Sequence, residues 1–156
     1  MVVFMQEGSQ VVAPDYSFLR DLLAEGKWQQ ADTETMNIIL KIAGRTVEGY
    51  PKPSDIKQIP TADLQEIDSL WGRYSQGKFG FTPQKWIWIK ASHNYTEFCE
   101  LIHWHQGDTW LDYRDINFNI NAVVGHLPAL MFPYPVGDTE VISFALGSWR
   151  VALLNR

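Results

Sequence analysis

Four histidines, His93, His103, His105 and His126, stand close in sequence to Glu97, Glu100 and Asp108, and no other residues of this chain look so much like metal or acid–base groups. Residues at i and i+2 share a face only on extended backbone, so His103 and His105 with one of these carboxylates form a candidate zinc set. Their spacing matches no named zinc motif, and a lone imidazole can instead ligate a haem iron. Surface or capping positions are the plainer alternative for all four. Asp112 and Asp115, one helical turn apart, are an acid–base candidate; the alternative is a cap and a solvated carboxylate. No serine elbow is present, and Cys99 lies among apolar residues that disfavour a thiolate, so the residues alone support no enzyme. Gly72 to Lys78 has the glycine and lysine spacing of a phosphate loop. Phe79 follows where a hydroxyl would hold magnesium, and a helix precedes it rather than a strand.

The densest feature is aromatic. Trp86, Trp88, Trp104, Trp110, Tyr113, Phe118, Phe132 and Tyr134 are interleaved with Arg114, Asn121 and His126. A planar amphipathic ligand needs apolar walls for its faces and a few cations or amides at its rim, which this set provides. Burying about 300 Å² of apolar ligand surface gives roughly 7 kcal/mol gross, less the entropic cost of association. Seven Trp in 156 residues lean the same way, although a Trp-rich core explains them equally well.

These residues need a scaffold, and the patterning makes it helical. Asp15 or Ser17 caps a helix with Phe18, Leu19, Leu22 and Leu23, which Gly26 stops. Trp28, Ala31, Thr35, Ile38, Ile39 and Ile42 share one face of a second helix that exits at Gly44, and the face carrying Glu25, Asp32 and Glu34 is read as solvated. Arg45 to Pro60 is a proline-rich connection with at most one turn of helix near Asp55. Thr61 caps a third helix with Leu64, Ile67, Leu70, Trp71 and Tyr74; Thr82–Pro83 starts a fourth; Asn94 with Glu97 is a capping box for a fifth. A helical turn is expected over 111–116. The alternation at Phe118–Asn121 is too short and too isolated to build a sheet. A last helix begins at Asp138 or Thr139 and buries Val141, Ile142, Ala145, Trp149 and Ala152.

The expected fold is therefore all-α, a single globular domain of about six or seven short helices with long structured loops, with a core over 15–156 and an extended or disordered arm over 1–14. A net charge of −5 and the lack of a basic run argue against nucleic acid. One cysteine excludes an internal disulfide framework. No apolar run reaches the roughly 18 residues of a membrane span.

The ordered strings Leu19 to Trp28, Ala31 to Thr35, Lys41 to Arg45, Asp68 to Trp71, Gly77 to Phe81, Trp110-Leu-Asp-Tyr113 and Gly125-His-Leu-Pro128 resemble the "genomes uncoupled four" family of tetrapyrrole-binding proteins. The resemblance implies a cupped-hand, all-α core that binds protoporphyrin IX or Mg-protoporphyrin IX in an apolar palm. It further implies a monomeric, non-catalytic activator of magnesium chelatase, acting through that enzyme's large porphyrin-binding (H) subunit. The setting would be chlorophyll biosynthesis, in a cyanobacterial cytoplasm or plastid stroma, with at most peripheral contact to thylakoid membranes. By position it points to Trp104, Trp110, Tyr113, Phe118 and the Leu127 to Tyr134 loop, including Met131 and Phe132, with Val47 and Ile59 on the opposite wall. Basic residues expected at Met131–Pro135 to meet propionates are absent there, and Arg150 or Arg114 would substitute. A bilin or haem on the same fold is the alternative ligand, and a His-ligated metalloenzyme a third reading.

Overall fold

A computed structural model describes residues 13–130 and 148–156. Residues 1–12 of the expected arm over 1–14, the loop residues Met131, Phe132 and Tyr134, and the start of the last helix lie outside the described residues.

Between residues 13 and 130, six α-helices appear in order: α1 (Ser17–Ala24), α2 (Trp28–Ala43), α3 (Pro53–Gln58), α4 (Thr61–Ser75), α5 (Phe81–Lys90) and α6 (Tyr95–Leu101). A two-stranded antiparallel hairpin follows, β1 (His105–Gln106) with β2 (Thr109–Trp110), then a 3-10 turn at Tyr113–Asp115; residues 148–154 are helical again. The all-α expectation holds, with the hairpin as a small addition. The clue to the hairpin is Gln106-Gly-Asp-Thr109, because Gly107 takes the left-handed backbone (φ 61°) that a two-residue connection needs.

The core sits where α1, α2 and α4 meet. Leu19, Leu22 and Leu23 of α1 pack with Trp28, Ala31, Ile38 and Ile39 of α2 and with Leu64, Ile67, Leu70 and Trp71 of α4. Trp28 stacks on Trp71 at 6.1 Å, and Phe79 meets both edge-on. A polar chain crosses this core: Trp71 Nε1 donates to Thr35 Oγ1 (2.9 Å), which donates to the Ala31 carbonyl (2.7 Å). Every buried donor in it has a partner, so the indole adds area without a desolvation penalty.

Helix ends follow local chemistry with two corrections. Asn94 caps α6, its side chain accepting from the Glu97 amide at 2.9 Å, and Gly44 closes α2 in the left-handed region. However, α5 begins at Phe81, two residues earlier than the Thr82–Pro83 pair suggests. Gly80 (φ 125°) sits against Asp68, where an added Cβ would fall 2.7 Å from Oδ1, and Asp68 accepts from both the backbone and the hydroxyl of Thr82. A carboxylate on α4 therefore caps α5 from outside the local sequence. Likewise, Thr61 makes no side-chain cap, and Pro60 is the residue that precedes α4.

The larger correction is Asp32. Expected on a solvated face, it is only 1% exposed. Positions 28, 31, 32, 35 and 39 form one helical stripe, so Asp32 shares the buried face of Trp28, Thr35 and Ile39.

Candidate functional site

Among the described residues between α6 and Leu130, regular structure is limited to the short hairpin and one 3-10 turn, so the backbone there must find partners elsewhere. Five buried side chains supply them. Gln84 on α5 donates through Nε2 to the carbonyls of Gly125 (3.0 Å) and Pro128 (2.9 Å). Trp104 Nε1 donates to the His126 carbonyl at 2.9 Å. His126 places Nδ1 2.6 Å from the Ile102 carbonyl, while Nε2 accepts from the Asn117 amide at 3.1 Å. Those partners fix the tautomer with the proton on Nδ1. Burial, the larger effect, holds the imidazole below its ordinary pKa and keeps the ring neutral.

Asp32 is the fourth. Its Oδ1 accepts from the amides of Ala129 (2.6 Å) and Leu130 (3.2 Å), and its Oδ2 from the Tyr113 hydroxyl (2.8 Å). Burial pushes the carboxyl up to about 6 despite these donors and the nearby Arg150. Arg150, itself buried, donates to the Leu130 carbonyl (3.1 Å) and lies over the rings of Trp104 (4.5 Å) and Trp149 (5.0 Å). Gly125 (φ 83°) closes the run: an added Cβ would meet Ile87 at 2.6 Å and Ile102 at 3.0 Å.

The sequence-derived residues fall into two layers. Trp104, His126, Leu127 and Arg150 are buried together as a foundation. Less buried are Tyr113 and Phe118, whose rings lie 5.4 Å apart, and exposed Trp110, which stacks on Tyr95 (6.4 Å) and packs against His105 (4.2 Å). Arg114 and Asn121 are exposed; Arg114 pairs with Asp112 at 3.2 Å. Trp86 is 68% exposed on α5, whereas Trp88 is buried, stacks on His93 and donates to Asn155.

Val47 and Ile59 are separated in character. Val47 is 95% exposed on a turn held by Arg45, which bonds Asp55 (2.8 Å) and Glu48 (3.1 Å). Ile59 is buried and lines a cleft of about 570 Å³ with Ile38, Ile42, Lys41, Glu34 and Asp63.

The metal reading finds no support in this geometry. Both ring nitrogens of His126 are engaged, His93 stacks on Trp88, and His105 Nδ1 approaches Glu100 at 3.3 Å without hydrogen-bond alignment. Among the described residues, no group of three His, Cys, Asp or Glu side chains converges on a point that could hold a metal ion. Cys99 is buried, and that burial pushes its thiol up to about 12, far from nucleophilic. The Gly72–Lys78 stretch is not a phosphate loop either: α4 runs through Gly72, and Lys78 Nζ donates to the Ile120 carbonyl (2.7 Å).

Residues 9–134 match the model of the GUN4-like family. The chain belongs to that family. Among its relatives are a Porphyra purpurea protein named "Uncharacterized protein ycf53", 36% identical over 73% of this chain and 49% of its own, and the Arabidopsis thaliana "Tetrapyrrole-binding protein, chloroplastic", 31% identical over 72% of this chain and 47% of its own. This chain thus spans about half the length of the curated relatives it matches. Two solved structures share the fold across 95% of it: GUN4 from Chlamydomonas reinhardtii (TM-score 0.74, 26% identical, 93% of that chain) and ligand-free Arabidopsis GUN4 (0.76, 26%, 96%). Within this GUN4-like fold, Asp32 and Gln84 are the residues that sequence reasoning missed. The helical stripe through Trp28 and Thr35 would have located Asp32; nothing local marks Gln84, whose partners lie 41 and 44 residues away.

Proposed function

We propose that this chain binds a tetrapyrrole, protoporphyrin IX or its magnesium form, as a non-catalytic regulator of magnesium chelatase that acts through the enzyme's porphyrin-binding H subunit. The observation carrying the reading is membership of the GUN4-like family together with 31% identity to a relative named for tetrapyrrole binding. The aromatic surface supports it. Trp110, Tyr113 and Phe118 would meet the macrocycle, joined by the Leu127 to Tyr134 loop with Met131 and Phe132, while Trp104, His126 and Arg150 underlie it. Val47, held out on its ion-paired turn, and Ile59 would supply the facing wall, and Arg114 and Asn121 the polar rim. The core over 15–156 would suffice for binding. The regulator would work in a cyanobacterial cytoplasm or plastid stroma; among the described residues no helix is long and apolar enough to cross a membrane.

An axial haem bond from His126 is disfavoured because it would break the bond that Nε2 accepts from Asn117. The test is titration of the full chain with protoporphyrin IX and, separately, Mg-protoporphyrin IX. Saturable quenching of Trp emission with a shifted Soret band is expected, and flat titrations with both would refute binding. Chelatase turnover with and without the chain then tests regulation, and an unchanged rate would confine the reading to binding.

A further inference from the structure

Tyr113 and the Leu127–Leu130 run belong to separate segments, and neither is itself part of a sheet or an α-helix. What joins them is one carboxylate on another element. Asp32 projects from α2, a sixteen-residue helix anchored in the core by Trp28, Ala31, Thr35 and Ile39. Three donors from the two segments converge on it: the amides of Ala129 and Leu130 and the Tyr113 hydroxyl.

A charged group buried in this way is poorly explained by stability alone, since apolar packing of similar volume is commonly as good or better. Its upward-shifted pKa agrees that ionisation is costly there. The carboxylate has instead a geometric virtue: it is acceptor-only, so all three donors can approach at once without a competing N–H.

We propose that Asp32 is the positioning residue of the ligand wall: it fixes the Tyr113 ring and the Leu127–Leu130 backbone relative to α2, so that the ligand meets a surface already formed. Such preorganisation removes ordering entropy that would otherwise be lost on binding. This inference rests on the tetrapyrrole reading and adds to it a residue that touches no ligand.

The experiment uses the full chain and four variants. Asp32→Asn preserves shape but turns an N–H₂ toward the converging donors. Tyr113→Phe removes one of the three bonds, and Leu22→Ala lowers stability in the α1 core without touching the site. Asp32→Ala removes every acceptor. Protoporphyrin IX affinity is measured by Trp quenching, alongside thermal midpoint and amide exchange at Ala129 and Leu130.

The expected results are at least a tenfold weaker Kd for Asp32→Asn, a few-fold weaker Kd for Tyr113→Phe, and wild-type affinity for Leu22→Ala despite its lower midpoint. Amide exchange at Ala129 and Leu130 should accelerate in both Asp32 variants while α1 amides stay protected. Wild-type affinity in Asp32→Asn, or an equal loss in Leu22→Ala, overturns the proposal. If Asp32→Asn does not fold, Tyr113→Phe against Leu22→Ala decides it. If the wild type binds no porphyrin, the functional reading fails, and unchanged exchange at Ala129 and Leu130 in Asp32→Asn would separately overturn the anchoring role.

Discussion

The α1–α2–α4 core and the 104–130 loop region are buried to a similar degree by opposite means. In the core, Trp28, Trp71 and Phe79 interlock beneath leucines and isoleucines, with short internal polar links through Thr35 and Ser75. In the loop region, Asp32, Gln84, His126 and Arg150 reach in to hold irregular backbone. Hydrophobic burial is non-directional and tolerates repacking, whereas hydrogen bonds to a fixed backbone define position to a few tenths of an ångström. The GUN4-like chain therefore keeps its adaptable energetics in the helices and its geometric precision where a ligand is proposed to bind.

The comparison breaks most visibly in the core. Trp71→Ala removes a fully buried indole that stacks on Trp28 and satisfies Thr35, and it should cost about 3–5 kcal/mol by urea denaturation. Loss in the helical and loop regions together is expected, because both rest on this packing. A cost below about 1 kcal/mol would show that the core is not the cooperative centre.

The loop region should fail for a different reason. Gln84→Leu roughly keeps the volume but strips two buried carbonyls, Gly125 and Pro128, of their donor. A cost of about 2–3 kcal/mol is expected, with accelerated amide exchange around Gly125 rather than in α1. Uniform exchange changes across both regions would erase the distinction.

This difference also governs what could be read from sequence. The core elements were legible because helical periodicity repeats over whole segments, and the caps at Asn94 and Gly44 are local chemistry. The loop supports were not, since Gln84 and Asp32 act on backbone 41 to 98 residues away. Asp32 was hidden further by its type: an aspartate on a helix reads as solvent-facing until its stripe is counted. The aromatic site residues were legible as types, but their division into a buried foundation and a less buried layer depends on contacts that spacing does not encode.

The smallest effect expected is a pH dependence that sets the two anchors against each other. Asp32, raised to about 6 by burial, binds a proton more tightly folded than unfolded. Its contribution therefore favours the folded state at low pH and is lost as pH rises from about 4 through 6, by roughly 3 kcal/mol at most for two pKa units. His126 is lowered by burial, so its contribution is present above the unfolded imidazole pKa and is lost as pH falls below it. Between pH 5 and 7 the two slopes oppose and offset each other in the wild type. Asp32→Asn removes one slope and leaves the other, so its stability should fall more steeply than the wild type's as the medium is acidified from pH 7 to 5. Denaturant midpoints at half-unit intervals would measure it. Parallel curves for the two proteins would mean that Asp32 does not carry the buried charge, and that the loop region is held more nearly as the core is.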